Sequence, residues 1–219
     1  MKVAIFDFDG TLYPDETFPL MMEHLKKHPI YSKKYRFFIT KISLMYAGYK
    51  CKFYSEQKMK EYSMRSYISS FQKNSKSEID HFFVDLGTKM SSDLSKSVLQ
   101  KLEQHHKDGY YIMLVSGAFL PLLEVVAKNL PIDCLIGTSI PYKNKQFDNK
   151  TPVMHVHGEL KKDQIYASLA NDYIDWENSF AYGDSFSDLG VLELVGNPIA
   201  VKPEPRLLEI ATIRKWEVM

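Results

Sequence analysis

The N-terminal run Lys2-Val3-Ala4-Ile5-Phe6-Asp7-Phe8-Asp9-Gly10-Thr11-Leu12 sets strand-forming apolar residues directly before two carboxylates and a glycine. An apolar run this short, closed by a turn signal, reads as a buried strand that ends where the acids begin. Asp7 and Asp9 stand two residues apart at the tip of that strand, where the backbone starts to turn, so both carboxylates can face one pocket. Two acids held together call for a cation. A hard ion such as Mg²⁺ takes oxygen ligands and prefers one or two carboxylates together with phosphate oxygens and water.

Residues 13–89 hold no comparable β-run. Met, Leu, Lys and Glu recur there at helical spacing, with Pro14, Pro19, Pro29 and Gly48 as breaks, which predicts several short helices. Ser91-Ser92-Asp93 reads as the start of an amphipathic helix over 94–107 that Gly109 ends, and Tyr110-Tyr111-Ile112-Met113-Leu114-Val115 as a second buried strand. The pattern continues with a helix over 120–129, a strand at 134–137, an irregular hairpin-like stretch over 138–156, and a helix over 163–170. A strand at 179–182, a helix at 189–195 and a last strand at 199–201 complete it. This alternation predicts an α/β fold, a doubly wound parallel sheet of Rossmann-like type with an inserted α-helical cap. The expected division is an α/β core from residues 1–12 and 91–219 and a cap over 13–90. In such sheets ligands bind beyond the carboxyl ends of the strands. Asp7 with Asp9, Ser116 with Gly117, and residues 183–188 all fall at such ends, and the helical insertion leaves from the same edge, placed to act as a lid.

Composition narrows the function classes. The 219 residues are 45% hydrophobic and 25% charged, the balance of a globular chain with no long disordered segment. The apolar start is interrupted by acids too early to serve as a signal-peptide core, so a cytoplasmic location is expected. Cys51 and Cys134 have no Cys-x-x-Cys or His-Cys spacing, which argues against a zinc site and for reduced thiols. The longest apolar stretch, residues 37–49, is broken by Lys41 and is too short for a transmembrane segment. The net charge of +1 conceals an asymmetry, because residues 24–73 carry twelve Lys and Arg against Glu56 and Glu61 alone.

Asp184 and Asp188, in Tyr182-Gly183-Asp184-Ser185-Phe186-Ser187-Asp188, bring further acids to the end of a later strand. A phosphoryl group needs positive charge and donors aimed at its oxygens. Ser116-Gly117, between an apolar strand and a helix, can turn a hydroxyl and backbone N–H groups into the crevice, as helix-start anion sites do. Lys161 offers a point charge. Lys162 is its neighbour, and Gly158-Glu159-Leu160-Lys161 favours Lys161.

Taken in order, these motifs resemble the haloacid dehalogenase superfamily of phosphohydrolases. The first motif matches Asp7-Phe8-Asp9-Gly10-Thr11-Leu12, the second Val115-Ser116-Gly117, the third Lys161 and the fourth Gly183 to Asp188. Ser116-Gly117-Ala118-Phe119 and the Gly158-to-Lys161 pattern look like the phosphoserine-phosphatase-like branch, subfamily I, whose members carry a helical cap just after the first motif. The resemblance implies a phosphatase that forms an aspartyl-phosphate on Asp7, with Asp9 as general acid and base. It implies Mg²⁺ on Asp7, Asp184 and the backbone carbonyl of Asp9, phosphate binding by Ser116, Gly117 and Lys161, and a supporting role for Asp188. The acid at position 9 favours a phosphatase or mutase, since relatives that are dehalogenases or P-type ATPases lack it.

Glu16 lies nine residues after Asp7, where phosphoserine phosphatases carry a glutamate that reads the substrate's amino group; a helix-dipole role for an acid there is as good a reading. Arg65, the sole arginine in the second half of the cap, is the candidate for the cap arginine that meets a substrate carboxylate in those enzymes, with a solvated surface side chain as the favoured reading. His155 and His157 form a His-x-His pair read as packing or pocket lining rather than a metal site. The eleven Tyr and Phe from Tyr31 to Phe71 interleave with the basic run, a pattern that a nucleic-acid or membrane surface would also show; they are expected mostly to build the cap's own core beneath a solvated basic face. The expected partner is a small phosphate ester, with no nucleic acid. Gly10 and Ser185 depart from the serine and glycine usual in phosphoserine phosphatases, so phosphoserine is one candidate among many. Phosphotransfer to an acceptor other than water, and a non-catalytic phosphate-binding module, are the alternatives on the same fold.

Overall fold

The computed structural model describes residues 1–170 and 172–219, with Glu56 described by its backbone alone. The chain starts with β1 (Val3–Phe6), whose four side chains are all buried. Alternate residues of a strand point to opposite faces, and here they enter two separate apolar clusters: Ala4 and Phe6 on one side, Val3 and Ile5 on the other. A strand buried on both faces belongs in the middle of a parallel sheet, and β1 sits there. It pairs in parallel with β2 (Tyr111–Phe119) and β6 (Phe180–Gly183).

With β3 (Cys134–Thr138), β7 (Asn197–Ala200) and β8 (Glu217–Val218), the sheet has six strands in the order β3-β2-β1-β6-β7-β8. The chain winds outward from β1 to β3, then returns to build the other half from β6. The strand order therefore reverses between β1 and β6, and the crevice beyond their carboxyl ends is the place where such folds bind ligands. A two-stranded hairpin, β4 (Tyr142–Lys143) with β5 (Gln146–Phe147), stands apart.

Four helices follow β1 before the chain returns to the sheet face: α1 (Thr17–Lys27), α2 (Ser32–Lys50), α3 (Glu56–Ser69) and α4 (Lys76–Met90). The α4 start is specified by a capping box in which Ser75 and Glu78 exchange hydrogen bonds. The two ends of this excursion meet, since the Ser95 N–H donates to the Leu12 carbonyl at 2.9 Å. The Phe6 face of the sheet is covered by α5 (Lys96–Lys107) and α6 (Leu120–Ala127). The Ile5 face is covered by α7 (Glu159–Ser168), α8 (Leu189–Leu192) and α9 (Pro205–Arg214). Apolar packing runs without a break from Phe8 and Phe119 into Phe38, Tyr67, Phe71, Phe82 and Phe83 of the inserted helices. Gly87 of α4 lies so close to α6 that a methyl group there would overlap Val125.

Several boundaries differ from the sequence reading. Pro19 lies inside α1 rather than breaking a helix, because a first-turn N–H has no intrahelical partner to lose. Gly48 lies in the last turn of α2, a single long helix. The N-cap of α5 is Ser95, not Asp93. Strand β2 continues through Ser116 and Gly117 with a register shift before Phe119, so the helix begins at Leu120 and not beside the serine. Helix α7 begins four residues earlier than expected, which puts Lys161 in its first turn. The strand at Ile199 is not the last: the short edge strand β8, reached through α9, pairs with it at Glu217.

Candidate active site

Asp7 follows β1 directly, and its N–H donates to the Tyr182 carbonyl of β6 at 2.9 Å, which joins the two strand ends across the switch point. Its side chain is buried. The ammonium of Lys161 donates to Asp7 Oδ1 at 2.5 Å and to Asp188 Oδ1 at 2.6 Å. Lys161 reaches them because Gly158, at φ +54°, turns the chain into α7 three residues earlier. Lys162 points elsewhere, with its amine 3.6 Å from Glu159. Asp188 is fixed from its other oxygen, which accepts from the Ser185 N–H at 3.1 Å and the Ser185 hydroxyl at 3.0 Å. One carboxylate oxygen from each of Asp7, Asp184 and Asp188 lies within 4.8 Å of the other two.

Electrostatics follow from this crowding. Burial, and then repulsion from Asp188, holds the Asp7 carboxyl well above the usual range against the pull of Lys161. Burial, with Asp188 and Glu16 adding to it, raises Asp184 to about 7. Burial opposes the Lys161 charge, but Asp188 and Asp7 outweigh it and hold the ammonium protonated beyond the ordinary lysine range. Three acids against one buried cation leave an excess of negative charge that a hard divalent ion would offset, and the all-oxygen donor set suits Mg²⁺.

Asp9 is turned differently from Asp7. Its Oδ1 accepts from the Thr17 N–H at 2.8 Å and from the Thr17 hydroxyl, at the first residue of α1. Burial raises its carboxyl to about 6, with the Thr17 hydrogen bonds opposing that rise. The cluster that Asp7, Asp184 and Asp188 form does not include the Asp9 carboxylate. Gly10 has φ +72°, and a Cβ there would fall on the Asp184 carboxylate. Glycine at this position gives the loop its turn and leaves room for Asp184.

Ser116 is fully buried, and its hydroxyl oxygen accepts from the Ala118 N–H at 3.0 Å. Gly117 is pressed against the chain at His155 and Val156, since a Cβ would come 2.7 Å from His155 Nε2. Thr138 holds these segments together: its hydroxyl donates to the Gly117 carbonyl at 2.7 Å and accepts from the Val156 N–H at 3.1 Å. Burial lowers His155 to about 4, so the ring is neutral. His157 meets Glu61 of α3 at 3.3 Å, linking the inserted helices to the loop before α7. Glu16 is exposed at the N-cap of α1, close enough to Asp9 and Asp184 to act on both electrostatically. Arg65 is exposed on α3 beside Lys41 and makes no described contact with the acid cluster.

Thr17 and Thr138 support the site without having been singled out in the sequence, each a lone hydroxyl residue whose partner is distant in the chain. Ser185, noted in the sequence only as a departure from glycine, forms a capping box with Asp188 three residues on, a spacing the sequence displays. A second group of potential ligands, His24, His28 and Asp85, lies on α1 and α4. There His28 Nδ1 accepts from the Ile30 and Tyr31 N–H groups, both at 3.2 Å, so the ring proton sits on Nε2, the nitrogen facing Asp85. That nitrogen has no lone pair to give a metal.

The family model for haloacid dehalogenase-like hydrolases matches residues 4–193. The chain belongs to that family. Among curated proteins it is 27% identical over 120 residues to phosphoserine phosphatase SerB1 of Mycobacterium tuberculosis, covering 54% of this chain and 39% of that one. It is equally 27% identical over 118 residues to an inhibition of morphological differentiation protein of Streptomyces azureus, covering 54% and 43%. The matched region is thus less than half of either relative. Among solved structures, a Bordetella pertussis protein of unknown function superposes with a TM-score of 0.81 at 20% identity, covering 100% of this chain and 97% of that one. An apo phosphoserine phosphatase superposes at 0.63 and 19% identity, covering 99% and 98%. The haloacid dehalogenase-like fold, with its six-stranded parallel sheet flanked by helices, is therefore this protein's fold.

Proposed function

We propose that this hydrolase is a Mg²⁺-dependent phosphomonoesterase acting on a small phosphate ester, with Asp7 as nucleophile. The observation that carries the reading is the Lys161 ammonium shared between Asp7 and Asp188 with Asp184 alongside. A buried nucleophilic carboxylate, a fixed cation and an acidic metal-ready cluster meet at the switch point of the sheet.

In this reading the Asp7 carboxylate attacks phosphorus, the P–O bond to the alcohol breaks, and the phosphoryl group stays on Asp7 as an acyl phosphate. Asp9, held toward α1 by Thr17, gives its proton to the departing alkoxide and later takes one from the water that attacks the acyl phosphate. Lys161 and Ser116 hold the equatorial oxygens, with the backbone at Gly117 beside them. Bound by Asp7, Asp184 and the Asp9 carbonyl, Mg²⁺ would neutralise the charge that opposes an anion attacking an anion. Asp188 keeps Lys161 aimed at the transferring group. Glu16, at the rim near Asp9 and Asp184, is available to a cationic group on the substrate.

We further assign residues 1–12 and 91–219 to the catalytic core and 13–90 to a helical cap. The Ser95-to-Leu12 hydrogen bond, which closes the base of the excursion, and the Glu61-to-His157 contact support that division.

The test is hydrolysis of p-nitrophenyl phosphate with Mg²⁺, with EDTA and with Asp7→Asn, followed by a panel of small phosphomonoesters with alcohols as competing acceptors. Metal-dependent phosphate release that Asp7→Asn abolishes establishes the chemistry. Transfer to the alcohols in place of water would replace the hydrolase reading with a phosphotransferase, and no turnover of any ester would leave a phosphate-binding module.

A further inference from the structure

Helix α2 and the turn after it combine two surface properties that soluble domains usually keep apart. Of its nineteen residues α2 buries only Phe38 and Ile42. Across residues 33–54 six large apolar side chains are exposed: Phe37, Ile39, Leu44, Tyr46, Phe53 and Tyr54. Leu44 and Phe53 are 83% and 81% exposed, so neither is a half-covered edge of the core. The same stretch carries Lys33, Lys34, Arg36, Lys41, Lys50 and Lys52 and not one acid.

The geometry follows from helical spacing. Phe37 and Leu44 are two turns apart on one flank of the exposed arc, and Ile39 and Tyr46 are two turns apart on the other. Arg36, Thr40, Ser43 and Ala47 lie between these flanks. Phe53 and Tyr54 extend the apolar surface past the helix end, where Lys52 adopts φ +62° in the turn. The apolar groups border this central strip and continue past the helix end, with no acid to repel phosphate, so against a bilayer the exposed Lys33, Arg36 and Lys50 would meet lipid headgroups while the flanking apolar groups and Phe53 enter the acyl boundary. Among the described residues no helix is long and apolar enough to cross a membrane, so contact there is at the surface.

We propose that this face, α2 with the turn through Tyr54, docks the protein on anionic phospholipid bilayers. Charge complementarity selects this occupant. A second copy of the chain would bring two acid-free basic faces together, and an oligonucleotide would leave Leu44 and Phe53 without an apolar environment. The inference stands independently of the chemistry at Asp7.

The experiment is co-sedimentation of the full chain with vesicles of phosphatidylcholine alone or mixed with phosphatidylglycerol, at low salt and at ~1 M salt, where the screening length is about 3 Å. Two variants probe the face: Leu44→Ser with Phe53→Ser, and Lys33→Glu with Arg36→Glu and Lys50→Glu. All five residues are exposed, so thermal melts should match the parent. Ile213→Ser, an exposed apolar change on α9, serves as the control. The expected result is binding to phosphatidylglycerol vesicles that salt weakens, that both variants lose and that Ile213→Ser retains. At roughly fivefold per cation near the surface, the triple charge reversal should reduce partition by about a hundredfold or more. No binding at low salt, or equal binding to neutral vesicles, would overturn the proposal. So would a dimer that Leu44→Ser with Phe53→Ser abolishes while vesicles are ignored, or oligonucleotide binding without vesicle binding.

Discussion

The ammonium of Lys161 lies 2.5 Å from Asp7 Oδ1, with both side chains buried. The same ammonium also serves Asp188, so replacing it leaves two carboxylates in the interior without their cation. Removing one partner of a buried ion pair costs about 3–5 kcal/mol. Lys161→Met should therefore destabilise the fold by that amount at neutral pH in urea titrations, and Lys162→Met by little. The deficit should shrink as pH falls, because Asp7, already held above the carboxylate range, takes up a proton and the uncompensated charge disappears. A deficit that grows on acidification would contradict the arrangement.

Gly10 combines φ +72° with an approach to Asp184 that no Cβ fits. Gly10→Ala should cost about 1–2 kcal/mol from the left-handed backbone alone, plus whatever displacement of Asp184 adds. Activity with Mg²⁺ should fall further than stability does, with the apparent Mg²⁺ requirement raised. Activity at parental level in a destabilised protein would show that Asp184 tolerates the shift.

Thr17 fixes the Asp9 carboxylate through both its N–H and its hydroxyl. Thr17→Val keeps the shape and the N–H but deletes the hydroxyl. If Asp9 transfers protons, kcat should fall roughly tenfold, part of the usual range for a general acid, while KM changes little. Steady-state kinetics on one ester decide it, and a change confined to KM would move Thr17 into substrate binding.

His155 is held near pKa 4 by burial, and the unfolded chain titrates near 6.5. Its folded value is depressed, so the unfolded state binds the extra proton as pH drops. Stability is complete above about pH 6.5 and is lost progressively toward pH 4. Between pH 7 and pH 5 the parent should lose about 2 kcal/mol more than His155→Gln does in urea unfolding. Identical pH slopes in the two proteins would remove His155 from the acid response.

Much of this molecule is determined by short-range pattern. Val3 to Phe6 is apolar at every position because the strand is covered on both faces, and the acids begin where the strand ends; this alone places Asp7 at a ligand crevice. Helix, glycine and strand around Gly109 repeat the unit that makes a parallel sheet. Periodicity also predicted several short helices between β1 and α5, where the structure has four, one of them nineteen residues long; it did not show that Pro19 and Gly48 lie within them, because a first-turn proline and a last-turn glycine cost a helix little. Tertiary structure decided what sequence spacing cannot encode. Lys161, which the Gly158-to-Lys161 pattern favours over Lys162, is shared by Asp7 and Asp188, residues 154 and 27 positions away, a sharing that no motif states. Asp9 turns to Thr17 and away from the acid cluster, Arg65 is exposed on α3 without a described contact to it, and Gly10 makes room for Asp184. Each of these is a direction of a side chain in space, set by packing between elements distant in the chain, and no local preference of the residues themselves carries that information.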